Sequence, residues 1–120
     1  MITLNHTIVP VRDQARSAEF YTRIFGFRNE PPLGSFTVLR VNDSLTLDLA
    51  EQEVFESHHY AFQVNDAEFD AILDRVRQAG LAYSADPFHD EIGQLNTRRG
   101  GRGFYVCDPD GHNLELLTRS

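Results

Sequence analysis

Two histidines and two carboxylates occupy matching positions in the two halves of this sequence. His6 and His59 each precede a valine by five residues and an aspartate by seven, while Asp48 and Glu115 each interrupt a leucine-rich run. Imidazoles and carboxylates together are common ligands of divalent metals. A carboxylate inside an apolar strand also needs a reason, because burying an unpaired charge is costly.

The stretch that must position Glu115 runs from Gly103 to Leu117 and reads GFYVCDPDGHNLELL. Its Asp-Pro-Asp-Gly centre predicts a tight hairpin, because Pro109 fixes φ at the second turn position and Gly111 can adopt the left-handed conformation. The hairpin would pair Tyr105 with Glu115, and faces alternate along each strand. One face would carry Phe104, Val106, Leu114 and Leu116. The other would carry Tyr105, Cys107, Asn113 and Glu115.

The repeat also predicts the elements around these residues. Each His-to-Asp run reads as a short strand that ends at a capping aspartate, Asp13 or Asp66. Helical periodicity follows in each half and stops at Gly26 or Gly80. Each half then returns to strands. These are expected at 27–31, 35–41 and 45–50 in the first half, and at 81–86, 103–107 and 112–118 in the second.

These elements predict an α+β fold of paired βαβββ modules with helices on the outer face of the sheet. We expect a single domain over residues 1–120. Within it, module one would span 1–50, a linker 51–57, and module two 58–120.

Strand alternation assigns both repeat histidines to the face opposite the valines. His6 and His59 would therefore point to the concave side, together with Asp48 and Glu115. The same register places His58 on the helix side. We expect His89 and His112 to be surface residues.

Composition limits the possible partners. The chain has 120 residues, a net charge of -7 and no lysine. The negative charge disfavours nucleic acid and anionic membranes as partners, and the lack of lysine excludes Schiff-base chemistry. The single cysteine, Cys107, cannot form an internal disulfide. No signal sequence or membrane-spanning run is evident, so we expect a cytoplasmic protein.

The opening His6-to-Asp13 run, the phrase His59-Tyr-Ala-Phe-Gln-Val, and the closing Phe104-to-Glu115 stretch together resemble the vicinal oxygen chelate superfamily. This superfamily includes glyoxalase I, fosfomycin-resistance thiol transferases, extradiol dioxygenases and bleomycin-binding proteins. The resemblance covers nearly the whole chain. It implies paired βαβββ modules whose mixed sheet curls around a metal cup, with His6, His59 and Glu115 as ligands of one divalent metal ion.

The resemblance has further implications for the site. Glyoxalase-type members use a fourth ligand at the position of Asp48, which is one methylene shorter than the usual glutamate. Fosfomycin-type members place a tyrosine at the position of Tyr105, close to the substrate. They also use a lysine in the preceding loop and a threonine where this chain has Ile8. Fosfomycin itself is therefore not the expected substrate.

Two imidazoles and one carboxylate leave coordination positions open for substrate and water, and they suit Fe, Mn, Ni or Zn. The leading hypothesis is a metal-dependent enzyme of glyoxalase or thiol-transferase type, in which Tyr105 and Glu115 are catalytic. One alternative is an extradiol-dioxygenase-like Fe(II) enzyme. Another is a non-catalytic, drug-binding protein of bleomycin-resistance type.

The loop from Asp90 to Gly103 contains four glycines and shows no periodicity. Either it is a solvated loop, or Arg98, Arg99 and Arg102 bind an anionic small-molecule substrate. The superfamily closes its cups by pairing four modules, so the resemblance implies that this chain of two modules forms a homodimer. Each site would then take His6 from one chain and His59 with Glu115 from the other.

Overall fold

The computed structural model describes residues 1–120 and divides into two compact units, Met1–Glu56 and Ser57–Ser120. Each unit has the element order βαβββ and one open, four-stranded mixed sheet. This confirms the α+β fold of paired βαβββ modules. None of the helices has both the length and the apolar character needed to cross a membrane.

The first unit contains one α-helix, a π-helical turn and four strands. They are β1 (His6–Val11), α1 (Gln14–Phe20), the turn Tyr21–Phe25, β2 (Arg28–Asn29), β3 (Thr37–Arg40) and β4 (Thr46–Glu51). The sheet order is β1-β4-β3-β2, with β1 parallel to β4. Asp13 caps α1 as predicted, since its side chain accepts a hydrogen bond from the Arg16 amide. Gly26 ends the helical stretch with a φ of 77°.

The second unit repeats this topology. Its elements are β5 (His59–Gln63), α2 (Asp66–Gln78), β6 (Tyr83–Ser84), β7 (Gly103–Cys107) and β8 (Asn113–Leu117). The order is β5-β8-β7-β6, with β5 parallel to β8. The predicted cap at Asp66 is wrong by one residue. Asn65 caps α2 because its side chain bonds the Glu68 amide while the Glu68 carboxylate bonds the Asn65 amide.

The β7–β8 hairpin has the predicted register. Gly111 adopts a φ of 82°, and the turn closes with a hydrogen bond from the Asp108 amide to the His112 carbonyl at 3.0 Å. Tyr105 consequently pairs with Glu115. The apolar face is buried as expected and comprises Phe104, Val106, Leu114 and Leu116. It packs on α2, where the rings of Phe69 and Phe104 lie 5.3 Å apart. Each such side chain contributes about 1.5–3 kcal/mol through burial.

Candidate metal centre

The second unit brings His59 and Glu115 together on the polar face of its sheet. The parallel register pairs His59 with Asn113, two positions from Glu115 and on the same face of β8. The imidazole Nε2 lies 3.2 Å from the carboxylate Oε1. The His59 side chain is 49% exposed whereas that of Glu115 is 9% exposed, so solvent reaches the imidazole far more than the carboxylate.

The buried Glu115 carboxylate has one further hydrogen-bond partner and a phenol as its neighbour. Arg99 donates from Nη1 to Oε2 at 3.1 Å, and Tyr105 lies opposite Glu115 in the β7–β8 ladder. Burial and the negative charge of Glu115 raise the pKa of the Tyr105 phenol. Tyr105 is therefore a neutral hydrogen-bond donor throughout the physiological pH range.

The spacing of His59 and Glu115 suits a divalent metal. Metal–ligand bonds of about 2.0–2.2 Å put two neighbouring donors about 3.0 Å apart at a right angle and about 3.4 Å apart at the tetrahedral angle. The observed 3.2 Å lies between these values. The chain by itself gathers no group of three or more His, Cys, Asp or Glu side chains that could hold a metal.

The first unit presents the corresponding residues in the same register. His6 pairs with Thr46, and Asp48 lies two positions further along β4 beside Ile8. The His6 Nδ1 atom lies 2.8 Å from Oδ1 of Asn5. With Oδ1 as the acceptor, Nδ1 would carry the proton and Nε2 would keep the lone pair that a metal requires.

Asp48 is buried and makes a local contact. Its Oδ1 accepts a hydrogen bond from the Thr46 hydroxyl at 3.0 Å, and the residue is 6% exposed. This contact satisfies part of the acceptor capacity of the carboxylate.

The remaining histidines have structural partners. The predicted surface location of His112 is wrong, since this residue is 0% exposed. Its Nδ1 accepts a hydrogen bond from the backbone amide of His58 at 2.9 Å, which ties the hairpin turn to the start of β5. The His58 side chain in turn bonds the Tyr60 hydroxyl through Nδ1. His58 is therefore engaged away from the His59–Glu115 pair.

His89, a predicted surface residue, is partly exposed and has a positive φ of 60°. Its ring bonds the Ser84 hydroxyl at 3.0 Å and Oδ1 of Asn113 at 2.9 Å. Ser84 is five residues away in sequence and Asn113 is 24 residues away. Neither spacing matches a strand or helix period, so sequence periodicity gave no sign of these contacts.

The three loop arginines have different partners. Arg99 bonds Glu115, and the Arg98 guanidinium lies 6.0 Å from the centre of the Tyr105 ring. Arg102 instead pairs with Asp66 and Asp70 of α2, at 3.0 Å and 2.7 Å. A pocket of about 190 Å³ lies beside Glu115. Its lining residues are Asn96, Arg98, Arg99, Gly101, Arg102, Tyr105, Glu115, Leu117 and Arg119. Asn96 and Arg119 belong to no sequence motif, so nothing local in the sequence predicts that they line this pocket.

Comparisons with known proteins agree with this architecture. Residues 3–116 match a model of the Glyoxalase/Bleomycin resistance protein/Dioxygenase superfamily. The glutathione transferase FosA of Serratia marcescens is 31% identical, over 98% of this chain and 82% of its own. The metallothiol transferase FosB of Lysinibacillus sphaericus is 27% identical, over 97% and 82%. A solved structure named oxidase ChaP-H2 is 43% identical, with a TM-score of 0.95 and coverage of 99% and 94%.

Proposed function

Because the chain belongs to the glyoxalase/bleomycin resistance protein/dioxygenase superfamily, we propose that it is a divalent-metal-dependent enzyme of glyoxalase or thiol-transferase type. Its substrate would be a small anionic molecule with two neighbouring oxygen atoms. The observation that carries the proposal is the 3.2 Å separation between Nε2 of His59 and Oε1 of Glu115. This distance suits two neighbouring ligands of one Fe, Mn, Ni or Zn ion.

The proposed ligand set is completed by a second copy of the chain. A single chain gathers fewer than three metal-ligating side chains in one place, whereas two imidazoles and one carboxylate are needed for the expected facial set. In a homodimer, His6 of one chain would join His59 and Glu115 of the other. Asp48 is the candidate fourth ligand, because it occupies in the first unit the position of Glu115 in the second.

The residues around Glu115 suit an anionic substrate. Arg98 and Arg99 are positively charged and line the same pocket as Tyr105. They would neutralise a carboxylate or phosphate on the substrate, while the Tyr105 hydroxyl would donate a hydrogen bond to a substrate oxygen. A bound divalent ion would supply Lewis acidity toward the two neighbouring oxygens. Arg102 is not given this role, because its guanidinium already pairs with two carboxylates.

The relatives named transferases support a thiol co-substrate. The two relatives are named a glutathione transferase and a metallothiol transferase. The chain lacks lysine and has Ile8 where the resemblance leads us to expect threonine. A substrate other than fosfomycin is therefore proposed.

An oxidase is the second candidate function. The solved structure named oxidase ChaP-H2 is 43% identical to this chain, compared with 31% for the FosA relative. The same two imidazoles and carboxylate suit Fe(II), with positions open for substrate and oxygen. Both candidates therefore use the same residues and differ in the metal and the co-substrate.

Metal analysis followed by two assays separates these candidates. The purified protein is stripped with a chelator, reloaded separately with Fe, Mn, Ni or Zn, and incubated with a panel of small oxygen-chelating acids. Loss of free thiol or isomerisation with Mn, Ni or Zn supports the leading proposal. Oxygen consumption with Fe supports the oxidase. Failure to bind any of the four ions contradicts both and favours the binding-protein alternative.

A further inference from the structure

The two oxygens of Glu115 are held by different partners. Oε1 lies 3.2 Å from Nε2 of His59, and Oε2 accepts a hydrogen bond from Nη1 of Arg99 at 3.1 Å. The Glu115 side chain is only 9% exposed. Its orientation is therefore set by these two protein groups rather than by bulk water.

We infer that Arg99 is a positioning residue that restricts Glu115 to metal ligation through one oxygen, Oε1. The inference rests on the proposed function, because it concerns the metal that His59 and Glu115 would share. A carboxylate can bind a cation through one oxygen or two. With Oε2 bonded to Arg99, only Oε1 is presented beside the imidazole.

The chemistry of arginine suits this role. A guanidinium remains charged across the accessible pH range and has donors but no acceptor. Arg99 can therefore bind Oε2 but cannot itself ligate a cation. One-oxygen ligation by Glu115 would leave a coordination position for water in the resting enzyme. A substrate with two neighbouring oxygens needs such a position.

The adjacent arginine provides a matched control. Arg98 precedes Arg99 directly and has the same charge, but its guanidinium lies over the Tyr105 ring, 6.0 Å from the centroid. The Arg99 side chain is 54% exposed, so replacing it is not expected to disturb folding. Any effect specific to Arg99 can thus be assigned to its bond with Glu115.

The test loads the protein with Mn²⁺ in the absence of substrate. Water-proton relaxation then gives the number of exchangeable waters bound to the metal. In Arg99→Gln and Arg99→Ala, Oε2 of Glu115 is free to bind the metal and takes the place of one bound water. The relaxation enhancement should therefore fall by the contribution of one water. Arg98→Gln should match the wild type. Arg99→Ala is included because the side-chain amide in Arg99→Gln can itself donate a hydrogen bond to Oε2.

The possible outcomes distinguish the positioning role of Arg99 from the proposed metal site. Equal water counts in the wild type and both Arg99 variants overturn the inference and leave the proposed function standing. The same loss in Arg98→Gln also overturns it, because the effect would then follow charge rather than the Arg99–Glu115 bond. A wild-type protein that binds no Mn²⁺ overturns the metal site and the inference together.

Discussion

Asp48 and Glu115 occupy equivalent positions in the two modules. Asp48 lies beside Ile8 in the parallel β1–β4 ladder, and Glu115 lies beside Ala61 in the parallel β5–β8 ladder. Their environments differ, however. Asp48 bonds the hydroxyl of Thr46, whereas Glu115 lies within reach of an imidazole and a guanidinium. The repeat thus supplies two carboxylates, and their surroundings distinguish their roles.

His59→Ala and Glu115→Ala should each abolish tight metal binding. Each removes one donor of the 3.2 Å pair, and the loss should exceed the roughly 10- to 100-fold that removal of an outer partner costs. His58→Ala is the control, because that ring bonds the Tyr60 hydroxyl instead. Metal content and calorimetric titration provide the measurement. If His58→Ala lost the metal while His59→Ala kept it, the assignment would be wrong.

Asp48→Asn should reduce metal affinity less than Glu115→Gln. The Asp48 side chain is shorter, and it already accepts a hydrogen bond from Thr46. We expect a loss of at most about 10- to 100-fold for Asp48→Asn, as for an outer partner. Side-by-side titration with Mn²⁺ and Zn²⁺ measures the difference. A larger loss for Asp48→Asn than for Glu115→Gln would instead identify Asp48 as a principal ligand.

Replacing Arg98 and Arg99 together with Gln should raise KM for an anionic substrate. Each charged hydrogen bond that is lost corresponds to about a tenfold to hundredfold effect. Arg102→Gln is the matched control, because its guanidinium pairs with Asp66 and Asp70 and lies 4.4 Å from the Phe69 ring centre. That variant should lower the melting temperature and leave KM nearly unchanged. An unchanged KM in the double variant would show that the arginine loop does not bind the substrate and is simply solvated.

Subunit sharing can be tested by mixing two inactive variants. His6→Ala and Glu115→Ala should each form homodimers without a complete site. In the mixed dimer, His6 comes from the Glu115→Ala chain, while His59 and Glu115 come from the other. One site per mixed dimer should therefore recover metal binding. Light scattering checks that dimers form. No recovery after verified subunit exchange would show that the sites are not shared in this way.

Tyr105 should make stability depend on alkaline pH. Burial and the Glu115 charge raise the pKa of its phenol, so the folded state favours the neutral form. This contribution is complete below the unfolded pKa of about 10 and is lost as pH rises through the higher folded pKa. Urea unfolding from neutral to alkaline pH should therefore show a steeper loss of stability in the wild type than in Tyr105→Phe. If the stability of the wild type and of Tyr105→Phe fell equally with rising pH, ionisation of Tyr105 would not contribute to the loss.

Local patterns predicted much of this fold. The His-to-Asp repeat gave the strand before each helix, and the Asp-Pro-Asp-Gly turn gave the pairing of Tyr105 with Glu115. Both signals are local, because they depend on backbone preferences and on the alternation of side chains along a strand. The cap of α2 was misplaced because Asn65 and Asp66 are both good caps. Only the reciprocal bond with Glu68 decides between them.

Contacts between segments that are distant in sequence could not be predicted from local patterns. The burial of His112 depends on the backbone amide of His58, which lies 54 residues earlier. The separate roles of Arg99 and Arg102 depend on which carboxylate each guanidinium reaches, Glu115 or the pair on α2. Three arginines in one glycine-rich loop look alike in sequence, since loop conformation has no periodicity.

The sequence by itself determined the paired βαβββ modules, the family, and the face on which Glu115 lies. These properties follow from turn chemistry, hydrophobic periodicity and motif spacing, which act over a few residues. Only the tertiary structure decided that Nε2 of His59 comes within 3.2 Å of Oε1 of Glu115 and that Arg99 binds the other oxygen. Side-chain distances of this kind are set by packing between segments that are remote in sequence, and no local pattern encodes them.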